Sequence, residues 1–341
     1  MTIVVNISHT DPVNPSTKMN VGFQEVMMKS FVTLGEEYIN QHEQSASSES
    51  LKWLQSIKAL KETQYLNIIN YCNFERLVAR AFPFADHDSF RAALDLIILT
   101  FLLDDISDAM EGTDGTKMQY TTKEESRVID VCRGQKWTGG DESAAFIMQS
   151  IIDRTSHLNQ GWMDLVRLEY IRYIQVNPLE RNNRADSSSL TWPMFENTRY
   201  YAGCILPFFY MSAAMVCKGD PSDVLSTPHV QILTRLAVNH VAWFNDIIGV
   251  NKEKKEAVNN NIVFVMASEK EQTWEGALEG AIKRTNQECE TFLDIEAKLY
   301  ASGLINNNED VLNYIQVLKF WMRGSMDWHF QSKRYVVSLT N

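Results

Sequence analysis

The sequence predicts an all-α single domain, and three observations carry that expectation. Beyond residue 20, nearly every segment repeats apolar residues at steps of three and four, the period of an amphipathic helix. No stretch alternates apolar and polar residues as a half-buried strand does. The turns between helical stretches are short, and no Pro-rich linker or internal repeat divides the 341 residues. With 45% apolar residues, the chain can bury a sizeable core.

Taken in order, residues 1–22 carry Pro12 and Pro15 among Asn and Ser and read as a flexible arm. The domain spans 23–336, and 337–341 form a short tail. Met27, Phe31, Leu34 and Tyr38 predict a first helix, and QHEQSASSES at 41–50 reads as a small polar loop. Tyr65, Ile68, Ile69 and Cys72 share one helical face. The stretch 86–110 follows Asp86 or Asp88 as an N-cap. Between Phe90 and Leu103 it is apolar on nearly every face, with charges only at Arg91 and Asp95, so that helix belongs among other helices. Further helical stretches fall at 142–178, 194–217, 228–250, 273–302 and 308–331. Asn177-Pro178, Gly219-Asp220-Pro221 and Asn306-Asn307-Asn308 read as turns between them.

The net charge of −11 argues against nucleic acid as a partner, which would need a basic face. It leaves room for a phosphorylated small molecule, because a few cations can reverse the field inside one cleft. The five cysteines are scattered without a CxxC pair, as expected for buried thiols in a reducing compartment. The first residues lack a basic segment followed by a long apolar one. The longest apolar run, Leu96–Leu103, is too short to span a bilayer. A soluble cytoplasmic protein without stable membrane insertion is expected.

The buried-looking helix ends in an acidic cluster, FLLDDISDAM at 101–110. Asp104 and Asp108 share a face and Asp105 lies beside them, where the helix dipole is already negative. Carboxylates so placed favour a hard cation such as Mg²⁺, which also takes phosphate oxygens. A solvated acidic helix end is the plain alternative, since DDxxD arises by chance in about one chain in twenty.

A second oxygen-rich face appears in WFNDIIGVNKEKKE at 243–256. Asn245, Gly249 and Glu253 are spaced i, i+4, i+8, and Lys252 sits beside them. Lys–Glu pairing on a solvated helix is the plain reading of this stretch alone. Together the two faces resemble the microbial class I terpene synthases. That family carries DDxxD and a second motif of the form ND-x-x-S/T-x-x-x-E, often with Lys before the Glu. Asp104-Asp105-Ile-Ser-Asp108 is intact, whereas the second motif has Gly249 in place of the metal-binding hydroxyl. The resemblance implies an α-bundle around a deep apolar pocket. It implies three Mg²⁺ ions held by Asp104, Asp105 and Asp108 on one rim and by Asn245, position 249 and Glu253 on the other.

It also implies diphosphate-binding groups. Arg199 lies 46 positions before Asn245, at the distance of the family's diphosphate-sensing arginine. Arg334-Tyr335 matches its C-terminal RY pair, and Lys252 and Asn245 would face the same anion. In RYYAGCILPF at 199–208, Pro207 has no N–H for the Gly203 carbonyl, which covalent logic alone frees to face a cavity. The family presents a carbonyl to substrate at that position. Phe101, one turn before Asp104, and Trp328, six residues before Arg334, are the expected cation-facing aromatics, with Phe84, Trp192 and Phe208 as weaker candidates.

The implied activity is ionisation of an isoprenyl diphosphate by a carbon–oxygen lyase. Farnesyl diphosphate is favoured and geranyl diphosphate is next, with a cyclic hydrocarbon or an alcohol as product. A chain-elongating prenyl diphosphate synthase is the first alternative, although it should carry a second DDxxD. An inactive helical binding protein is the other, resting on Gly249. Either a monomer or a homodimer fits the sequence.

Overall fold

The computed structural model describes residues 31–32, 34–108, 115–185, 190–255, 260–269, 273–305 and 307–335, and every regular element among them is helical. In chain order, α1 is Glu43–Ser56, α2 Glu62–Asn67, α3 Phe74–Ala81, α4 His87–Asp108 and α5 Gly115–Cys132. They are followed by α6 Ala144–Arg154, α7 Gln160–Ala185, α8 Trp192–Ala202, α9 Ile205–Val216 and α10 Pro221–Leu225. The rest are α11 Pro228–Lys255, α12 Ile262–Glu269, α13 Trp274–Ser302 and α14 Glu309–Gln331. Two short helical pieces complete the order, a π-helical turn at Ile68–Cys72 and a 3₁₀ turn at Lys333–Tyr335.

The bundle is built around α4, α7, α9, α11 and α14. The α11 helix packs on α13 and α14, α7 on α9, α4 on α6 and α1, and α14 on α3. Helix α4 starts where Asp86 Oδ1 accepts the Ser89 N–H at 2.8 Å, the expected cap. From Phe90 to Leu99 its apolar residues are buried, so it has no solvent face there. All five cysteines are buried without a disulfide. No helix among the described residues is long and apolar enough to cross a membrane.

Four sequence expectations need correction. Residues 34–40 form no helix: Gly35 has φ 52°, and the Gly35 carbonyl accepts from the Arg323 guanidinium at 2.8 Å. Phe31 and Leu34 are buried there as single anchors, and Met27 lies outside the described residues. The polar stretch 43–50 belongs to α1, because Ala46, Ser47, Ser50 and Leu54 make a small-residue face that lies against α4. The helical stretch expected over 142–178 is two helices, with Asn159 between them donating to the Gly219 carbonyl at 2.9 Å. Asn177-Pro178 is no turn; Pro178 sits inside α7, which runs through it. A proline removes one hydrogen bond from a long packed helix without ending it when neighbours hold both flanks. The arm 1–22 and the tail 337–341 lie outside the described residues.

Candidate active site

A cavity of about 110 Å³ opens between α4, the α8–α9 junction, α11 and α14. Its wall includes Phe101 and Asp104 from α4, Arg199, Gly203, Cys204 and Phe208 from the junction, Asn245 from α11, and Trp328 and His329 from α14. The two oxygen-bearing segments, some 140 positions apart in sequence, therefore meet across one apolar space. Asp104 is half-buried at its edge. Asp105 and Asp108 continue α4, but their side chains lie outside the described residues, as does that of Lys252 on α11.

On α11 the Asn245 amide is fixed on every side. Its Oδ1 accepts from Arg199 Nη2 at 3.0 Å. Its Nδ2 is 2.9 Å from His329 Nε2 and donates to Tyr335 Oη at 2.9 Å. Burial pushes the His329 pKa down to about 3, so the ring is neutral. Its Nδ1 lies 2.7 Å from the Ser325 carbonyl, which can only accept. Nδ1 therefore carries the proton, Nε2 accepts, and Asn245 turns its NH₂ to the ring and its oxygen to Arg199. Burial also pushes the Tyr335 pKa up, keeping its hydroxyl protonated.

Arg199 pairs with Asp246 Oδ1 at 2.6 Å as well as with Asn245. Asp246 is fully buried and its Oδ2 accepts the Ile262 N–H at 3.1 Å, at the start of α12. Glu253 Oε2 accepts from Asn261 Nδ2 at 2.8 Å. Gly249 is buried between Asn245 and Glu253. Arg334 lies 4.7 Å from the centre of the Phe101 ring, a cation–π contact that joins two residues expected at the site separately.

The helix break falls where Pro207 requires. Helix α8 ends at Ala202, α9 begins at Ile205, and Pro207 sits in the first turn of α9, where a missing N–H costs nothing. No backbone N–H among the described residues donates to the Gly203 carbonyl. The distortion is not taken up by Gly203, the residue with the greater backbone freedom: it stays right-handed at φ −64°, and Cys204 adopts φ 51°. A non-glycine residue in that region stores local strain at a cavity wall.

Phe101, Trp328 and Phe74 form an aromatic cluster, with Phe74 4.5 Å from Phe101 and 5.7 Å from Trp328 between ring centres. Trp328 is nearly fully buried and its Nε1 donates to the Cys72 carbonyl at 2.8 Å, which fixes the ring. Phe208 lines the cavity. Trp192 packs on Trp243 beneath the Arg284 guanidinium and does not line it. Phe84 is 65% exposed and belongs to the outer surface with Phe320.

The donor chemistry suits a hard divalent cation. Asp104, Asn245 and Glu253 offer oxygen. The softer groups in the wall are closed to a metal: burial pushes the Cys204 thiol well up, and both His329 nitrogens are engaged. Among the described residues no three His, Cys, Asp or Glu side chains converge on one point. The oxygens are divided between two rims, an arrangement that an anion between the rims would complete.

Sequence reasoning missed His329, Asn261 and the pairing role of Asp246. Asp246 stood in view within the ND pair, whereas nothing in the local pattern of His329 or Asn261 marks either as a support for α11.

The sequence model for terpene synthase family 2, C-terminal metal binding, matches residues 95–291, more than half of the chain and inclusive of Asp104, Arg199, Asn245 and Glu253 but not of Arg334-Tyr335. A farnesyl-diphosphate-cyclizing 4-epi-cubebol synthase of Streptosporangium roseum is 25% identical over 307 residues, covering 87% of this chain and 88% of that one. Sesquiterpene synthase 6 of Postia placenta is also 25% identical, covering 87% and 86%. The crystal structure of germacradien-4-ol synthase from Streptomyces citricolor superposes with a TM-score of 0.73 at 16% identity over 89% of this chain and 99% of that one. An α-eudesmol synthase structure superposes with a TM-score of 0.77 at 15% identity, covering 89% and 99%. The chain belongs to terpene synthase family 2 and is a class I terpene synthase, a lyase whose family domain binds a divalent metal.

Proposed function

We propose that this protein ionises farnesyl diphosphate, with geranyl diphosphate as the second candidate, and releases a sesquiterpene or monoterpene hydrocarbon or alcohol. The observation that carries this reading is that Asp104, Arg199, Asn245, Phe101 and Trp328 border one cavity, which brings polar and aromatic side chains together. One relative named for cyclizing farnesyl diphosphate and another named a sesquiterpene synthase support the choice of substrate. The proposed metal is Mg²⁺, three ions, held by Asp104, Asp105 and Asp108 on α4 and by Asn245 and Glu253 on α11.

When bound, the metal supplies neutralisation of the diphosphate charge, which makes it a competent leaving group. Arg199 and Arg334 donate charge-assisted hydrogen bonds to the departing oxygens, with Lys252 and Tyr335 beside them. Arg199 is held ready by Asp246. Once diphosphate draws Arg334 toward it, the Phe101 ring is exposed to the allylic cation that the broken C–O bond leaves. The Gly203 carbonyl dipole favours that positive charge, and the apolar wall keeps water away until a proton is lost or water is admitted. No observation favours a chain-elongating activity, and Gly249 is the one feature behind an inactive scaffold.

Purified protein given geranyl, farnesyl or geranylgeranyl diphosphate with Mg²⁺ is expected to yield volatile terpenes from farnesyl diphosphate, read by mass spectrometry. Longer prenyl diphosphates would replace this reading with chain elongation, and no turnover with any of the three would end it. Asp104→Ala and Arg334→Ala are each expected to abolish diphosphate release with circular dichroism unchanged.

A further inference from the structure

Position 249 is the one departure from the second metal motif, and the structure accounts for how the chain lives with it. Helix α11 places Asn245, Gly249 and Glu253 in one row. A Cβ added at Gly249 would lie 2.9 Å from Glu253 Oε1 and 3.7 Å from Glu253 Cδ. The Glu253 carboxylate thus folds back along its own helix and fills the space from which a serine or threonine hydroxyl would project.

That carboxylate is tied, not swinging. Its Oε2 accepts from Asn261 Nδ2 at 2.8 Å. Asn261 is itself fully buried; the same Nδ2 donates to the Asp246 carbonyl at 2.8 Å, and its Oδ1 accepts the Val263 N–H at 2.8 Å. With its oxygen committed to the start of α12, Asn261 has one orientation, and that orientation directs N–H toward Glu253. Asp246, locked by Arg199 and the Ile262 N–H, keeps α12 against α11 at this point.

We propose that Asn261 is a positioning residue that holds the Glu253 carboxylate over Gly249, so that Glu253 supplies the oxygen that the absent hydroxyl would have supplied. The glycine is then a requirement and not a defect. Restoring the family's serine would push Glu253 away from Asn261 and weaken metal binding. This inference rests on the reading of Asn245 and Glu253 as metal ligands.

The test is Mn²⁺ binding to the full-length protein in the presence of inorganic diphosphate, followed by the electron paramagnetic resonance of unbound Mn²⁺, with circular dichroism and melting recorded alongside. Asn261→Ala is expected to weaken Mn²⁺ binding about tenfold, the scale of lost ligand support. Gly249→Ser is expected to weaken it severalfold with helix content unchanged. Unchanged or tighter binding by Gly249→Ser overturns the proposal, as does unchanged binding by a folded Asn261→Ala; if Asn261→Ala does not fold, Gly249→Ser decides. Glu253→Gln separates the two levels. If it binds Mn²⁺ like wild type, the ligand reading of Glu253 fails and takes this inference with it. If it loses binding while Gly249→Ser and Asn261→Ala keep theirs, the inference alone fails.

Discussion

Asp95 on α4 and Asp246 on α11 are a matched pair of buried carboxylates, each fully enclosed and each bound to an arginine on another helix. Asp95 accepts from Arg154 Nη1 at 2.9 Å and from the Ser50 hydroxyl. Arg154 spends its other capacity on the Ser150 hydroxyl, at 2.7 Å, and on the face of Trp53. That cluster joins α1, α4 and α6 and shares no residue with the cavity that Arg199 borders, and burial pushes the Asp95 carboxyl up to about 6 despite its partner. Asp246 holds Arg199 at 2.6 Å, yet Arg199 also reaches Asn245 and borders the cavity. The same device therefore serves two ends. Where the arginine is consumed by its surroundings, the pair only joins helices. Where the arginine borders an apolar space, the pair aims a cation at it.

Breaking the two pairs should have different signatures. Arg154→Ala and Arg199→Ala each leave a buried carboxylate, at a cost of about 3–5 kcal/mol. Arg154→Ala is expected to lower the unfolding midpoint while turnover per folded molecule stays at the wild-type value. Arg199→Ala should lower both, and measuring product formation against the folded fraction distinguishes them. Loss of turnover in folded Arg154→Ala would remove the distinction.

A gentler change sharpens it. Arg199→Lys keeps a charge against Asp246 but gives up the fork that also reaches Asn245. Turnover should fall about 10²-fold, the scale of one lost preorganised donor, with a smaller loss of stability.

His329 tests the other support of Asn245. His329→Phe keeps ring volume but removes the acceptor, leaving an amide N–H without it, at about 1–3 kcal/mol. The Mg²⁺ concentration for half-maximal rate is expected to rise about tenfold. An unchanged metal requirement would show that the orientation of Asn245 is set without the ring.

The last test concerns pH. His240, one turn before Phe244 on α11, is fully buried with no hydrogen bond from the described residues to either ring nitrogen, and burial pushes its pKa down to about 4. Its depressed folded-state value means that the unfolded chain takes up a proton first as pH falls below about 6.5. Stability is therefore full above that pH and declines between about 6.5 and 4, by roughly 3 kcal/mol from this residue. Denaturant titrations of wild type and His240→Phe over that window should show a steeper acid loss in wild type, and parallel curves would refute it.

Some of this was open to a reader of the sequence. A helix apolar on all faces that ends in aspartates announces a core meeting a charged rim. The spacing of Asn245, Gly249 and Glu253 places them in one row, because a helix repeats every 3.6 residues. Pro207 located the break in the 194–217 stretch, because a missing N–H is a covalent fact. The serines of α1 misled as a loop because the propensity of small polar residues is weak and tertiary packing overrides it.

What the sequence determined by itself is everything that follows from local periodicity and covalent chemistry: helices, the acidic end of α4, the row on α11 and the break before Pro207. What only the tertiary structure decided is which side chains meet. Cys204 rather than Gly203 takes the left-handed turn, His329 sets the orientation of Asn245, and Asn261 sets that of Glu253. The physical reason is that hydrogen bonds between groups far apart in the chain depend on how helices pack, and no local pattern encodes which buried donor will face which acceptor.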